Sequence, residues 1–199
     1  MTVQLLLIRH ALPHTITHDP RGADPGLAPD GIIQATRLAE HLSTKPFGEI
    51  SQMVSSTMRR AVETSIPARD ALGVELRREE RIVEVDSGWK NYGTALSHYP
   101  SRRAGWEDLN RGRFGSNTFD LDQFRDRVIR GFDAIIDAVE PDSTVAVVCH
   151  GGVISAYLSH ILQTPRTFFV DTDYTSITRI LAEDEHRELL SVNETHHLR

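Results

Sequence analysis

Two histidines and two arginines stand where a chain can offer them to chemistry. Leu5-Leu6-Leu7-Ile8 is an unbroken apolar run that ends abruptly in Arg9 and His10. Thr144-Val145-Ala146-Val147-Val148-Cys149 is a second such run, and it ends in His150, Gly151 and Gly152. A guanidinium fits the oxygens of a phosphate, and an imidazole serves as nucleophile, acid or base. Alone, Arg9-His10 reads equally well as a strand end with two solvated side chains. The repeat of the design at His150 changes that balance. Glycines let a backbone turn sharply and let a ligand come close. A helix starting at Gly151 or Gly152 would turn free N–H groups toward an anion. A third stretch, Ser55 to Thr64, carries Arg59 and Arg60 in the first turn of an expected helix. Cations prefer the other end of a helix dipole, so their presence there is a weak sign of a held anion. Glu84, in Arg81-Ile82-Val83-Glu84-Val85, lies between apolar neighbours that would raise a carboxyl pKa.

The elements that must position these residues follow from periodicity. An apolar run of this kind suits a strand buried on both faces, and its C-terminal end opens into the crevice where α/β folds bind ligands. Pro13 and Pro20 exclude a continuous helix after His10. His10, His14 and His18 therefore make a loop over the site rather than a helical metal face. Ile32, Ala35, Leu38, Ala39 and Leu42 follow helical spacing, and Ile50 to Ser55 reads as a strand. Met58 to Leu72 reads as a helix stopped by Gly73, and Val74 to Leu76 as a third strand. Residues 85–118 are irregular and mix Trp89, Tyr92, Tyr99, Trp106 and Phe114 with basic residues. So long a segment is functional or partly helical, its aromatics mostly packing it down. Leu121 to Val139 is an amphipathic helix stopped by Pro141. A further helix spans Val153 to Leu162, and Ser176 to Leu181 and Leu189 to Val192 read as two final strands. Strands alternating with helices imply an α/β fold, a three-layer α/β/α sandwich with a mainly parallel central sheet.

The chain has 199 residues, which suits a single domain over 1–199 with a substantial core. A net charge of −6 argues against a nucleic-acid partner, which would need a broad basic face. A local arginine cluster still admits an anionic small molecule. No apolar run approaches membrane-spanning length, so no membrane partner is expected. Met1-Thr2-Val3 leads straight into the first strand, so no cleavable signal is expected, and one cysteine makes no internal disulfide. These features point to a reducing cytoplasm. They set neither the substrate nor the oligomeric state.

In this order, the stretches resemble the histidine phosphatase superfamily, the phosphoglycerate-mutase-like enzymes. Arg9-His10-Ala11 is similar to the family's Arg-His-Gly. Leu27 to Ala35 resembles its Leu-(Ser/Thr)-x-x-Gly-x-x-Gln-Ala helix start, with Ala28 where a capping Ser or Thr is usual. Ser56 to Thr64 resembles Ser-x-x-x-Arg-Ala-x-x-Thr, a register that selects Arg60 over Arg59. Glu84 resembles the acidic residue before x-x-x-Gly-Trp, and His150-Gly151-Gly152 the closing His-Gly-Gly. The resemblance implies a phosphomonoester phosphatase working through a phosphohistidine on His10. It implies that Arg9, Arg60, His150 and Gly151 bind the phosphoryl group of a small-molecule phosphate ester. Glu84 would protonate the leaving oxygen and then activate water, with no metal and no cofactor. The loop Leu12 to Thr17 lacks the Glu-Thr or Glu-Ser pair and the asparagine common in the family.

Rival readings are weaker. Phe168 to Thr175 contains Asp171-Thr172-Asp173-Tyr174-Thr175, like the nucleophile motif of Mg²⁺-dependent aspartate phosphatases. That motif usually opens its domain, and only 24 residues follow Thr175. Cys149 lacks the arginine six positions on that a cysteine phosphatase needs, since Ser155 stands there. A phosphoglycerate-mutase-type transfer and a non-catalytic phosphate-binding domain are the alternatives from within and outside enzymes. The chain lacks the added segments that close over the site of longer mutases, and it keeps both nucleophile and acid.

Overall fold

The computed structural model describes residues 2–93 and 99–198. Residues 94–98 of the irregular segment lie outside the described residues, as do the two terminal residues. Eight strands and five α-helices are described: β1 (Thr2–Arg9), α1 (Pro29–Ser43), β2 (Ile50–Ser56), α2 (Arg59–Leu72), β3 (Leu76–Glu79), α3 (Arg102–Leu109), β4 (Arg113–Phe114), β5 (Asn117–Thr118), α4 (Leu121–Ile136), β6 (Ser143–Cys149), α5 (Gly151–Ile161), β7 (Ile177–Glu183) and β8 (His186–Glu194).

Six strands form the central sheet in the order β3-β2-β6-β1-β7-β8. β3, β2, β6 and β1 run parallel, while β7 and β8 join as an antiparallel pair on the β1 side. The expected mainly parallel sheet is observed. Side chains alternate across it as the strand period requires. Leu5, Leu7, Val145 and Val147 face α4 and α5 through Val128, Phe132 and Tyr157. Leu6, Ile8, Ala146 and Val148 face α1 and α2 through Leu38, Leu42 and Ala61. Helices thus cover both faces, giving the three layers. Among the described residues no helix is long and apolar enough to cross a membrane.

Local chemistry explains the boundaries. Pro29 sits in the first turn of α1, where its missing N–H is no loss. Gly31 lets that helix lie against the loop after β1, since a Cβ there would meet the Leu12 carbonyl oxygen at 2.0 Å. Gly73 ends α2 in the left-handed conformation. The third strand begins at Leu76, later than the expected Val74. The Val74 N–H still bonds back to Arg69, and pairing with β2 starts only at Met53↔Leu76. The 85–118 segment is partly regular: α3 and the β4–β5 hairpin lie within it.

α1 leaves the end of β1 toward one face, and α5 leaves the end of β6 toward the other. β1 and β6 are sheet neighbours. Their C-terminal ends therefore form a topological switch point, where a parallel sheet opens a crevice.

Candidate active site

The register of β1 on β6 sets the two histidines. Arg9 stands opposite Cys149, and the His10 N–H donates to the Cys149 carbonyl at 2.9 Å. The residues that follow the two strands, His10 and His150, leave the sheet side by side with ring centroids 5.1 Å apart. Both are buried.

His10 is held by its own backbone. Its Nδ1 lies 2.8 Å from the Ala11 carbonyl oxygen. A carbonyl only accepts, so Nδ1 carries the proton and Nε2 the lone pair. Arg60 Nε donates to that Nε2 at 3.2 Å. Thr64 steadies the Ala11 peptide: its hydroxyl accepts from the Ala11 N–H at 2.9 Å and donates to the Arg60 carbonyl at 2.7 Å. Ala11 lies outside the left-handed region, so alanine in place of glycine brings no backbone strain. His150 Nε2 lies 2.8 Å from Ser56 Oγ. That hydroxyl also accepts from the Met58 N–H at 3.3 Å. His150 Nδ1 is buried and without a partner among the described residues. Burial, then the Arg60 and Arg9 charges, push His10 well below the ordinary 6.5. Burial and Arg60 do the same to His150.

The two adjacent arginines part company. Arg59 is 63% exposed and pairs with Glu63 at 2.6 Å. Arg60 is fully buried. Its Nη2 donates to Asp86 Oδ1 at 2.7 Å, and its guanidinium lies 4.7 Å from the centroid of the Tyr92 ring. The anion expected at the start of α2 is the chain's own Asp24, whose carboxylate accepts from the Arg59 N–H at 3.0 Å. Arg9 lies 4.1 Å from the centroid of the Tyr174 ring and donates to the Thr172 carbonyl. Arg9 Nε, Arg60 Nη1 and Thr172 Oγ1 are also buried without partners among the described residues.

Glu84 meets the start of α5. The Gly152 N–H donates to Oε2 at 2.8 Å and the Val85 N–H to Oε1 at 2.9 Å. A Cβ on Gly152 would lie 2.4 Å from Oε1, so only glycine admits this approach. The expectation of free N–H groups at Gly151 and Gly152 is corrected at Gly152, whose N–H Glu84 takes. Burial and then the Asp86 charge raise the Glu84 pKa, against the pull of these two bonds.

Arg9, His10, Arg60, Glu84 and Gly151 line one cavity of about 510 Å³, and the His150 ring lies 5.1 Å from that of His10. Sequence reasoning missed Asp86 as the partner of Arg60, Ser56 as the partner of His150, and Tyr92 and Tyr174 as covers for the arginines. The loop after β1 has a role there, since Ile16 and Tyr92 exchange backbone bonds at 3.1 and 2.8 Å. Asp171 pairs with Arg102 and stands 3.8 Å from Arg9, while Asp173 accepts from Asn193. These contacts give Asp171 a place in the cavity wall and tie Asp173 to Asn193. Burial raises the Cys149 thiol pKa, which suits its place as a core strand residue.

Residues 5–195 match the family described as the histidine phosphatase superfamily (branch 1). A bifunctional protein of Mycobacterium tuberculosis is 34% identical over 154 residues, taking in 74% of this chain and 41% of that protein. The chain thus spans less than half the length of that relative. Phosphoserine phosphatase 1 of Hydrogenobacter thermophilus is 28% identical over 207 residues, with coverage of 98% and 94%. A solved phosphoserine phosphatase mutant from Entamoeba histolytica, in complex with phosphoserine, has a TM-score of 0.75 at 21% identity and covers 99% of this chain and 100% of its own. At that identity the structural likeness speaks for the fold.

The two neutral histidines give stability a defined pH dependence. Unfolded, each takes a proton below the ordinary 6.5; folded, each stays neutral until well below it. Stability is therefore fully present above 6.5 and is lost as pH falls toward the folded values. In urea unfolding at about pH 5 to 6, His10→Gln should reduce the slope of stability against pH by up to about 1.4 kcal/mol per unit. Identical slopes in wild type and variant would mean that His10 is protonated in the fold.

Proposed function

Because this chain belongs to the histidine phosphatase superfamily, we propose that it is a metal-independent phosphomonoester phosphatase, folded as one domain over 1–199, that works through a phosphohistidine on His10. The observation that carries this reading is the His10 tautomer. Its lone pair is on Nε2, inside a cavity ringed by buried donors that lack partners. Phosphatases among the relatives support hydrolysis over transfer.

The chemistry runs in two displacements. His10 Nε2 attacks the phosphorus as the ester bond to the alcohol oxygen breaks. Neutral imidazole is the nucleophilic form, and burial beside two cations keeps it neutral. Arg60 exchanges its bond to Nε2 for a phosphoryl oxygen. Arg9 Nε, Arg60 Nη1 and His150 Nδ1–H take the charge that develops on the equatorial oxygens, a task of positioning and neutralisation. A Cβ on Gly151 would lie 3.6 Å from Arg9 Nε and 3.7 Å from Thr172 Oγ1, so glycine leaves that space to the oxygens. Glu84, whose protonated form burial favours, gives its proton to the departing alkoxide. As a carboxylate it then takes a proton from water, which attacks the phosphohistidine and releases inorganic phosphate. The Gly152 and Val85 N–H groups hold it through both roles.

Wild type quenched after mixing with ³²P-labelled ester in EDTA should carry an acid-labile, base-stable phosphoryl group, and His10→Ala should carry none. Label that survives acid, or that appears on the His10 variant, would overturn the assignment, and label lost to EDTA would bring back a metal.

Arg60 and Arg59 make an internal control. Arg60→Ala should lower kcat/KM by roughly 10²–10³-fold, the scale of losing a transition-state donor. Lysine at 60 should rescue poorly, for want of a fork that meets Asp86, His10 and phosphate together. Arg59→Ala should change kcat/KM only mildly; equal losses would place the phosphate elsewhere.

Glu84→Gln should slow attack on alkyl phosphates by about 10²–10⁴-fold and on p-nitrophenyl phosphate far less, since nitrophenolate leaves without a proton. With the aryl ester a burst of nitrophenol should precede a slow steady rate. Equal slowing on both esters with no burst would assign the acid to another group.

A further inference from the structure

We propose that the alcohol part of the substrate is apolar, a phosphomonoester of a hydrophobic alcohol, because the cavity beyond the phosphoryl cluster is walled largely by aromatic and aliphatic side chains and its one further cation among the described lining residues, Arg102, is paired with Asp171. This rests on the phosphatase reading above.

The cavity, at about 510 Å³, has room for far more than a phosphoryl group. Its outer wall is made by Val85, Trp89, Trp106, Phe114, Phe168 and Val170. The wall is built rather than loosely draped. Trp89 stacks on Phe114 with centroids 6.2 Å apart, and Tyr99 stacks on the same ring at 5.7 Å. Tyr99 also accepts a bond from the Gly115 N–H at 2.8 Å, which ties the β4–β5 hairpin to the ladder. Phe168 is buried and stacks on Phe124 at 5.8 Å, so this side is anchored to α4. Val85, Trp106 and Val170 pack against the same core cluster. An apolar surface held open in this way is matched by an apolar ligand.

Charge points the same way. Among the described residues lining the cavity, the cations are Arg9, Arg60 and Arg102. The first two belong to the phosphoryl cluster. Arg102 is bonded to Asp171, whose other oxygen stands 3.8 Å from Arg9. A second phosphate or a carboxylate on the substrate could reach Arg102 only beside the Asp171 charge. A mutase substrate, with two anionic ends, fits such a wall poorly.

The comparison that isolates the alcohol uses esters with similar leaving groups: n-hexyl phosphate, sn-glycerol 3-phosphate, O-phosphoserine and 3-phosphoglycerate. Each methylene moved from water to an apolar wall is worth roughly 4-fold, so three seated methylenes should favour hexyl phosphate by about 50-fold in kcat/KM, chiefly through KM. Trp106→Ala should shrink that ratio. Calorimetry with n-hexylphosphonate and 3-hydroxypropylphosphonate reads the same preference without turnover. Selective binding with no turnover of any ester would overturn the phosphatase reading and keep this one. Turnover with equal kcat/KM across the panel, or with phosphoserine or 3-phosphoglycerate preferred, would overturn this one and keep the phosphatase.

Discussion

The site depends on a guanidinium that water does not reach. Arg60 is fully buried, and a buried cation persists only where partners replace its hydration. Asp86 takes one edge, the Tyr92 ring covers one face, and the His10 lone pair takes Nε. The contact with His10 has a second consequence. A cation donating to Nε2 makes a proton there unfavourable, so the imidazole is neutral and keeps its lone pair on Nε2. The arginine that would bind the phosphoryl oxygens thereby also prepares the nucleophile. Nη1 stays unpartnered among the described residues, a donor whose natural complement is an anion.

Two carboxyls two residues apart share these surroundings. Asp86 accepts from Arg60 at 2.7 Å, and burial raises its pKa against the pull of that arginine. Glu84 accepts only from backbone N–H groups, and the Asp86 charge beside it favours its protonated form. The start of α5 contributes twice: it holds Glu84 through Gly152 and sets His150 as its first flanking residue. At the start of α2, Asp24 plays the corresponding part, so both helix ends at the cavity are met by carboxylates of the chain itself.

Outside the phosphoryl cluster the character changes from charge to apolar area. The segment between β3 and α4 supplies most of the wall, and an aromatic ladder fixes it to the core. In the proposed reading, positioning of phosphate and choice of alcohol fall to different parts of the chain. The first sits on strand ends and helix starts, which share the sheet's rigidity. The second sits on a connection that is free to vary without disturbing that frame.

The sequence by itself determined the frame and the reactive residue types. Apolar runs, helical spacing and turn glycines are local properties, so β1, β6, α1, α4 and the histidines at the strand ends were legible without a structure. The choice of Arg60 over Arg59 was legible only through the family register, because adjacent residues on one helix carry no local mark of burial. Glu84 was legible through its apolar neighbours, but not its anchoring to Gly152. The partners that tune the site were decided by tertiary structure alone. Ser56 meets His150 across 94 residues and Asp86 meets Arg60 across 26. Such contacts follow from strand register and from loops crossing the sheet's edge, and no periodicity records them. The same holds for the aromatics of residues 85–118. Their composition marked a packed segment, and only the folded chain showed which rings face the core and which face the cavity.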